Sequence, residues 1–424
     1  MNKINKYLKI IKNNKIELIN IKLYKTMSST SKIFEKYKLN NGVEIQSRLV
    51  AAPVSLFASD VNKVITDEER DFLKVRGKRY GLYILGATSV TQDAIAFIGQ
   101  PVSLSEKDIP ALAEKAKLIK ANGTKVINQL QHAGVLASTE FSKMPVVGPS
   151  AEKYDKILEA KGMLTDDYRI HELTNEEIEK IIQSFVYLAE LSLRAGFDGV
   201  EIHGANNFLP QQFYSKHTNA RTDEWGGSDE KRMHFHLKVI DEVCKIRGKY
   251  NRPDFIIGYR ISPEEPFDDG ITMTETLKLV KVLSTKPLQY LHISQMNFFQ
   301  KARRGDGAGT ERLKLIHNEL GGKLALIGCG RLKTYDEFNS AMNSGFCEFI
   351  AAGKANLLNK DLGVLLEEGK KDEINLELDP KHPEKYLIPS ELWKACLTVP
   401  GWLPPIKGEP QKDLKNDVRF KGAI

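Results

Sequence analysis

Short apolar runs alternate with longer amphipathic segments along the chain, from about residue 45 to residue 370. The runs are rich in β-branched and aromatic residues and predict eight strands, near 49–54, 82–88, 124–129, 198–203, 255–260, 288–293, 324–328 and 347–351. The segments between them carry apolar residues at helical spacing and predict eight helices, near 66–79, 106–121, 174–195, 229–247, 273–284, 310–320, 334–343 and 361–368. Eight repeated βα units favour an α/β fold, a single (β/α)8 TIM barrel.

Local signals mark where the predicted elements begin. Thr174 with Glu177, and Thr334 with Glu337, form capping-box patterns, in which two side chains satisfy the free amides of a helix start. After residue 40 the chain has no evident internal repeat or low-complexity tract. We therefore predict a basic leader over residues 1–31, the barrel over residues 32–370 and a C-terminal tail over residues 371–424 that packs on the barrel.

The net charge of the chain, +7, is concentrated in its first 26 residues. They contain seven lysines and one glutamate, a net +6, which leaves +1 for the rest of the chain. Because phosphate recognition needs a clustered basic footprint, the barrel is not expected to bind nucleic acid. The first arginine is Arg48, so a disordered extension or an upstream start codon is favoured over an Arg-rich mitochondrial presequence. The expected location is cytoplasmic, or mitochondrial if the leader is a presequence.

Composition bears on two further classes of protein. With 41% hydrophobic and 28% charged residues, the chain has the composition of a soluble globular protein. Its longest apolar run, near residues 49–58, is too short and too broken to span a bilayer. The four cysteines lie far apart without a C-x-x-C pair, which argues against a disulfide framework and against a zinc or iron–sulfur site. We expect no metal and no membrane span.

The stretch from Gly199 to Arg232 carries the strongest chemical signal. A short run ends abruptly on His203, Asn206 follows three residues later, and a long loop leads to paired glycines. In βα barrels the active sites lie at the C-terminal ends of the strands, so this histidine is placed where chemistry occurs. From the strand alone, a histidine that merely caps it fits equally well.

The sequence of this stretch resembles that of the old yellow enzyme family of FMN-dependent oxidoreductases. The shared features are His203 and Asn206 after the fourth strand, a glutamine-rich turn, and an Asn-x-Arg-x-Asp-x-x-Gly-Gly-Ser run over residues 219–228. Further family motifs follow in order over about residues 32–370, and such an extended match is far more specific than a lone motif. The resemblance implies a TIM-barrel oxidoreductase with non-covalent FMN, NADH or NADPH as electron donor, and a small electrophilic acceptor. A homodimer is left open.

The resemblance assigns catalysis to His203 and Asn206, which would hydrogen-bond the carbonyl oxygen of an electron-poor alkene, enone or quinone and stabilise the developing enolate. It also exposes a departure at Phe208, where the family usually has a tyrosine that protonates the substrate α-carbon. A phenyl ring has no proton to give. Water, a neighbouring side chain such as Tyr214, or an acceptor that needs no carbon protonation would then have to serve, and we expect quinones to outpace enones.

Two strand-end motifs are assigned to the flavin ring by the resemblance. Pro53 and Ser55 belong to an Ala-Pro-x-Ser match after the first strand, where the hydroxyl would lie near flavin N5. Ala87 ends the second predicted strand, where a small residue would let the backbone approach the ring. Without the resemblance, a turn serine and a plain core alanine are the favoured interpretations.

Gln129 and Arg260 complete the ring site implied by the resemblance. The Gln129 amide, at the predicted end of the third strand, can both donate to a flavin carbonyl and accept from the ring N3–H. Arg260 ends the fifth strand, where a buried cation is costly unless it meets an anion, and would stabilise the charge of reduced flavin. The alternative for Arg260 is a salt bridge to Glu264 or Glu265.

Glycine-bearing strand ends close the predicted barrel and suggest a phosphate site. In TIM barrels the loops after strands seven and eight commonly bind phosphate through backbone amides and a helix N-terminus. The predicted cradle is Gly330, Arg331, Gly353 and Lys354, although ordinary turns also use glycines. The family usually has arginine at the position of Lys354, and lysine keeps the charge but lacks the bidentate fork.

Other hypotheses stay open at this point. A flavin-holding or scaffold protein with little turnover would also carry these motifs, since Phe208 removes the usual proton donor. A phosphate-binding lyase or aldolase would need a strand-end Schiff-base lysine or metal ligands, neither of which is evident. The long loop over residues 133–173 is interpreted as a lid, and Arg303 with Arg304 as a solvated pair rather than a cofactor site.

Overall fold

The computed structural model describes residues 31–59, 65–151, 170–398 and 403–409. The predictions made for the leader, including its disorder and its bearing on location, concern residues 1–30 and so lie outside the described ranges. The last residues of the predicted tail, 410–424, also lie outside them.

The eight predicted strands form a closed parallel barrel. The strands are β1 (Leu49–Ala51), β2 (Leu82–Ile84), β3 (Lys125–Gln131), β4 (Gly199–Gly204), β5 (Ile256–Ile261), β6 (Tyr290–Ile293), β7 (Ala325–Cys329) and β8 (Phe349–Ala352). Each strand pairs in parallel with the next, and β8 pairs with β1 to close the ring. The predicted (β/α)8 fold is therefore confirmed.

Two strand ends differ from the predictions. The second strand stops at Ile84, and Thr88–Ser89 forms a separate short strand beside β3, so that Ala87 lies between the two. The chain bends there because it passes the segment after β1: a Cβ added at Gly86 would lie 2.5 Å from the carbonyl oxygen of Val54. The third strand continues to Gln131, so Gln129 lies inside it rather than at its end.

Eight helices follow the strands as predicted. They are α1 (Asp67–Lys74), α2 (Ile109–Lys120), α3 (Asn175–Arg194), α4 (Asp229–Lys249), α5 (Met273–Leu283), α6 (Arg312–Leu320), α7 (Tyr335–Asn343) and α8 (Leu362–Glu367). The capping boxes of Thr174 with Glu177 and of Thr334 with Glu337 are both formed. Each such cap contributes roughly 1 kcal/mol to the helix that it starts. Among the described residues, none of the helices is both long and apolar enough to cross a membrane.

Shorter strands and helices lie outside the eight βα units. The remaining strands are the antiparallel pair Tyr37–Lys38 and Glu44–Ile45 and the parallel pair Val146–Gly148 and Ile170–Glu172. The remaining α-helices are Thr139–Ser142, Leu209–Tyr214, Lys354–Leu358 and Ser390–Thr398. The 3₁₀ helices are Lys32–Phe34, Gln92–Ala94, Glu106–Asp108, Gly134–Leu136, Lys371–Glu373 and Pro383–Lys385. The first hairpin closes the N-terminal end of the barrel, because Asn40 donates to the carbonyls of Leu288 and Lys323, just before β6 and β7.

The core has two layers. The larger one lies between the strands and the helices, where α3 buries a helical stripe that includes Ile178, Ile182, Phe185 and Ala189. The smaller one fills the N-terminal half of the barrel interior, with Ile45, Leu82, Ile84, Ile127, Ile256, Tyr290, Ile327 and Phe349 among its residues. Burying each large apolar side chain stabilises the fold by about 1.5–3 kcal/mol. The barrel interior is therefore solid below the residues that line its C-terminal mouth.

Arg76 is a fully buried arginine that joins three separate segments. Its guanidinium donates to the carbonyl of Phe72 in α1, to those of Asn356 and Leu357 in the short helix after β8, and to that of Tyr386 in the tail. It lies over the Phe72 ring at 3.6 Å from the ring centroid. Burial lowers the pKa of Arg76 to about 10, so it remains charged at neutral pH. Carbonyl dipoles at a helix C-terminus are a favourable setting for such a cation.

Candidate active site

Polar side chains gather inside the barrel at the C-terminal ends of the central strands. Gln129 lies on β3, Glu201 and His203 on β4, Arg260 on β5 and His292 on β6, and none of them is more than 7% exposed. Arg260 is in register with both His203 and His292 on the two neighbouring strands. Active sites of βα barrels are usually formed by buried polar groups at the strand ends.

His203 is held as a neutral hydrogen-bond donor. Its Nδ1 accepts the backbone N–H of Ala205 at 3.3 Å, which leaves the proton of the neutral ring on Nε2. Burial, together with the nearby charges of Arg260 and His292, lowers the pKa of His203 well below its ordinary value. The imidazole therefore stays uncharged at neutral pH and directs an N–H group from Nε2.

Asn206 places a second donor beside the first. Its Oδ1 accepts hydrogen bonds from the hydroxyls of Ser294 at 2.7 Å and Ser262 at 3.4 Å, and its backbone N–H donates to Ser262 at 2.9 Å. These contacts leave its Nδ2 as the outward group, 3.5 Å from Nε2 of His203. Asn206 and Asn207 both have positive φ, 58° and 59°, a conformation that asparagine tolerates better than most residues. Two neutral N–H donors at this spacing can bind one acceptor oxygen.

Phe208 lies against the same donors. Its ring meets the His203 ring edge-on, with the centroids 4.7 Å apart and the planes at 78°. Tyr214, proposed from the sequence as a substitute acid, donates its hydroxyl to the backbone carbonyl of Glu275 at 2.5 Å. Burial, with the nearby acids Asp229 and Glu275, raises its pKa above the ordinary value. Tyr214 is therefore a poor source of protons for this site.

Arg260 carries an unsatisfied donor. Its Nε is buried without a hydrogen-bond partner among the described residues. The predicted alternative partners are engaged elsewhere: Glu264 accepts from Arg312 Nε at 2.5 Å, and Glu265 accepts from Gln211 Nε2 at 2.7 Å. An unpaired buried donor costs about 1–3 kcal/mol. Arg260 is therefore suited to an electron-rich or anionic ligand at the barrel mouth.

Glu201 and His292 form a buried pair that the sequence analysis missed. Oε1 of Glu201 accepts from Gln129 Nε2 at 2.6 Å, and its Oε2 lies 2.9 Å from Nδ1 of His292. Burial opposes the charge on both groups. It is outweighed by their mutual attraction together with the charge of Arg260 and the Gln129 hydrogen bond at Glu201 and the Cys329 contact at His292, so the pKa of Glu201 is lowered and that of His292 is raised. The signal was a lone acid in an otherwise apolar strand, Val200–Glu201–Ile202. Its apolar neighbours make this stretch resemble an ordinary buried strand, so the sequence alone predicts no role for Glu201.

The predicted phosphate residues lie at the ends of β7 and β8, which pair with each other. Gly330 has a φ of 142°, and a Cβ there would lie 2.3 Å from the amide nitrogen of Phe298, so this close approach requires glycine. Gly353 caps the helix Lys354–Leu358. Burial and the charges of Arg331 and Lys333 lower the pKa of Lys354 to about 8. The cations converge on one place, and Lys333 is a member that the sequence analysis missed.

The remaining predicted residues lie at the neighbouring strand ends. Pro53 and Ser55 follow β1 and are half-buried, and Ala87 follows β2 and is buried. The segments touch, since a Cβ added at Gly86 would lie 3.1 Å from Cα of Ser55. All the residues predicted for the site thus lie on the C-terminal side of the barrel, while β6, for which none was predicted, contributes His292 and the following Ser294.

Two further interpretations can be compared with the structure. In the predicted lid over residues 133–173, the described part contains helical turns and a pair of short strands, whereas residues 152–169 lie outside the described ranges. Arg303 is exposed and Arg304 is half-buried, and both also donate to the backbone carbonyl of Glu265, so they brace the loop after β5.

The chain is similar in sequence to flavin-dependent oxidoreductases. A sequence model of the NADH:flavin oxidoreductase / NADH oxidase family matches residues 32–373. A probable NADH-dependent flavin oxidoreductase, YqiG of Bacillus subtilis, is 39% identical over 373 residues, which cover 88% of this chain and 97% of the relative. The NADH:acrylate oxidoreductase of Vibrio harveyi is 30% identical over 93% of this chain, but the match covers only 39% of that protein.

The barrel is also similar to solved structures. An old yellow enzyme homologue from Zymomonas mobilis superposes with a TM-score of 0.68, covering 84% of this chain and 99% of that one at 22% identity. At that identity the likeness concerns the fold.

Proposed function

The chain belongs to the NADH:flavin oxidoreductase / NADH oxidase family, and from this premise we propose that it reduces small electrophilic acceptors whose carbonyl oxygen binds His203 and Asn206. As a member of this family it is an NAD(P)H-dependent flavin oxidoreductase of the old yellow enzyme type, with non-covalent FMN as its cofactor. The proposal concerns the acceptor and the residues that handle it.

The residues at the barrel mouth fit FMN. The unpaired Nε of Arg260 and the outward oxygen of Gln129 would hold the electron-rich and N–H edges of the flavin ring. Pro53, Ser55 and Ala87 would border the ring from β1 and β2. Gly330, Arg331, Gly353 and Lys354 would hold the phosphate, where the close approach at Gly330 and the converging cations suit an anion. When bound, FMN supplies a ring that takes a hydride from the nicotinamide and delivers it to the acceptor.

The paired donors of His203 and Asn206 are the observation that carries the proposal. They would orient the acceptor by its oxygen and stabilise the negative charge that develops there during reduction. Both donors are neutral and pre-oriented, His203 by Ala205 and Asn206 by Ser262 and Ser294. Little reorganisation is then needed as the charge appears, and this is the condition under which such donors are most effective.

The ring of Phe208 shapes the choice among acceptors. It lies against His203 at the sequence position where the family usually has a tyrosine that would protonate carbon, and it has no proton to donate. An acceptor such as a quinone takes up protons on oxygen, which solvent can supply. An enone needs a proton on carbon. We therefore propose quinone-like acceptors as the better oxidants and enones as the poorer ones.

The names of relatives do not decide the acceptor. The acrylate reductase of Vibrio harveyi points to an electron-poor alkene, yet this chain matches 39% of its length, so its activity is not carried over. Because the usual tyrosine is missing, a flavin-binding protein with little turnover is the second candidate function. A lyase or aldolase is disfavoured by the family match.

Stopped-flow reoxidation of the NADH-reduced enzyme tests the proposal. We expect a quinone to reoxidise it faster than cyclohexenone, and Phe208→Tyr to raise the enone rate selectively, on the order of tenfold. This is less than the roughly 10²–10⁴-fold of a fully positioned acid, because nothing has been arranged to support the new hydroxyl. Equal rates for both acceptors with no effect of the substitution would mean that another acid serves. Slow reoxidation by every acceptor would favour the flavin-binding alternative.

A further inference from the structure

Glu201 stands at the centre of a polar group that spans three strands of the barrel. It is fully buried, and its two oxygens are engaged by Gln129 of β3 and His292 of β6. Gly258 on β5 is in register with it, and the absence of a side chain there leaves room for the Tyr290 ring, whose atoms would lie 2.0 Å from a Cβ. The carboxylate thus has a specific place between defined partners.

Such a pair is costly to bury. Desolvation of two charges commonly offsets their attraction, so a buried ion pair is weak evidence for stability. A group of perturbed, buried charges beside a ligand site is instead typical of functional sites. The described residues gather no set of three histidine, cysteine or acidic side chains that could hold a metal, so a metal centre does not explain Glu201.

Glu201 decides which end of the Gln129 amide faces outward. Because a carboxylate can only accept, the amide must turn its nitrogen toward Glu201 and leave its oxygen for the barrel mouth. Without this anchor, the amide could rotate by half a turn and present N–H groups instead. The oxygen of Gln129 is thereby left to accept from the flavin, and the second N–H of the amide is left to donate to it.

Glu201 also governs the charge of His292. The ring is faced by Glu201 and His203 from β4, Arg260 from β5, its strand neighbour Tyr290, and Cys329 from β7. Among these groups Glu201 is the counterion, because His203 is neutral and Arg260 is a cation. With Glu201 ionised and His292 protonated, as the 2.9 Å contact between them favours, the mouth carries two cations and one anion, a net charge of one positive.

We propose that Glu201 is a positioning residue that fixes Gln129 with its oxygen toward the cofactor and keeps His292 protonated beside Arg260. The site then offers an acceptor to the flavin N–H and a positive field to the flavin edge that becomes electron-rich. This inference rests on the proposed FMN site, and it assigns roles to two residues, Glu201 and His292, outside the expected set.

The first test reads the protonation of His292 directly. NMR of the full chain with isotope-labelled histidine, assigned by the loss of one signal in His292→Asn, should show a charged His292 ring at pH 7. In Glu201→Gln the ring should be neutral at that pH. A neutral ring in the wild-type protein would overturn the proposal, and so would a ring that stays charged in Glu201→Gln. The wild-type arm uses a variant only to assign the signal.

The second test measures FMN binding, by fluorescence titration and by the rate of release from the holoenzyme. Glu201→Gln should weaken binding about tenfold near pH 7, since the carboxylate no longer fixes the Gln129 amide and His292 loses its proton, and Glu201→Asp should recover part of the loss. Glu348→Gln is the matched control, because Glu348 is also paired with a histidine, His317 at 2.9 Å, but directly precedes β8 at the opposite, N-terminal end of the barrel. It should leave FMN binding unchanged.

The pH profile separates the possible results. The ratio of the two dissociation constants should be largest near neutral pH and should fall at higher pH, where His292 loses its proton in the wild-type protein as well. Equal FMN binding by wild type and Glu201→Gln at every pH would overturn the proposal. A wild-type protein that binds no FMN would refute the proposed function instead, and the NMR result would then stand by itself.

Discussion

The two ends of the candidate site differ in charge: one presents neutral hydrogen-bond donors and the other presents cations. At β4, His203 and Asn206 are neutral donors whose direction is set by short-range hydrogen bonds. At β7 and β8 lie the cations Arg331, Lys333 and Lys354, and burial together with the charges of the other two lowers the pKa of Lys354 to about 8. The first end suits a charge that exists only during a reaction, and the second suits a charge that is always present. We therefore expect the rate of acceptor reduction to depend on the geometry of the proposed His203–Asn206 site, and the affinity for FMN to depend on pH.

Removing His203 should give the largest effect. In His203→Ala one of the two donors is lost, and loss of a donor to a developing oxyanion costs roughly 10²–10³-fold in rate. Stopped-flow reoxidation by a quinone would show the loss, while the bound FMN measured by absorbance should stay at the wild-type level. Asn206→Ala should show the same pattern more mildly. Normal turnover in His203→Ala would mean that the pair is structural.

Lys354 tests the cationic end through pH. An anion bound beside Lys354 raises its pKa, so FMN should bind best below pH about 8, where the lysine is already charged, and more weakly above it. Lys354→Met should weaken binding by roughly 10–100-fold at pH 7, the size expected for a charge-assisted hydrogen bond. Lys354→Arg should bind well and lose the decline above pH 8. Fluorescence titration across this range provides the measurement.

A matched control guards the lysine result. Lys36 is exposed and paired with Glu44 at 2.8 Å beside the hairpin that closes the N-terminal end of the barrel, so Lys36→Met removes one positive charge at the end opposite the proposed phosphate site. It should leave FMN affinity unchanged. If both lysine variants weakened binding equally, the effect would be that of net charge rather than of a specific phosphate site.

Ser294 tests the neutral end with the smallest expected effect. In Ser294→Ala the Oδ1 of Asn206 loses its shorter hydrogen bond, the amide gains rotational freedom, and acceptor reduction should slow about two- to tenfold. Ser294→Thr keeps the hydroxyl and should restore the rate. FMN affinity and its pH profile should be unchanged in both variants. A slower Ser294→Thr would show that the volume at this position matters more than the hydrogen bond.

The sequence predicted the barrel well because its signals are periodic. Alternating apolar runs and amphipathic segments located all eight strands and helices, and capping residues such as Thr174 and Thr334 marked their starts. The site residues were placed on the C-terminal side because strand ends are visible in the sequence. Their partners were not, since contacts across the barrel depend on register. Glu201 meets Gln129 on the neighbouring strand and His292 two strands away, separations of 72 and 91 residues.

Other important residues were not predicted, because their environment in the fold differs from the one that their residue type suggests. Arg76 lies at the end of an exposed-looking helix pattern, yet it is completely buried. Ser262 and Ser294 resemble ordinary loop serines, and their importance comes only from both reaching one amide. Residue type states what a side chain can do, whereas the fold decides which of these abilities is used.

The buried guanidinium of Arg76 makes two distant parts of the chain open as one unit. It holds the carbonyls of Leu357, in the helix that begins at the proposed phosphate cradle, and of Tyr386, in the tail, with the same nitrogen. Releasing either segment would leave a buried cation with fewer acceptors, so local unfolding of one weakens the other. In hydrogen exchange the short helix Lys354–Leu358 and the residues around Tyr386 should therefore share one opening free energy. Opening of the helix beside the proposed phosphate cradle is then coupled to detachment of the tail.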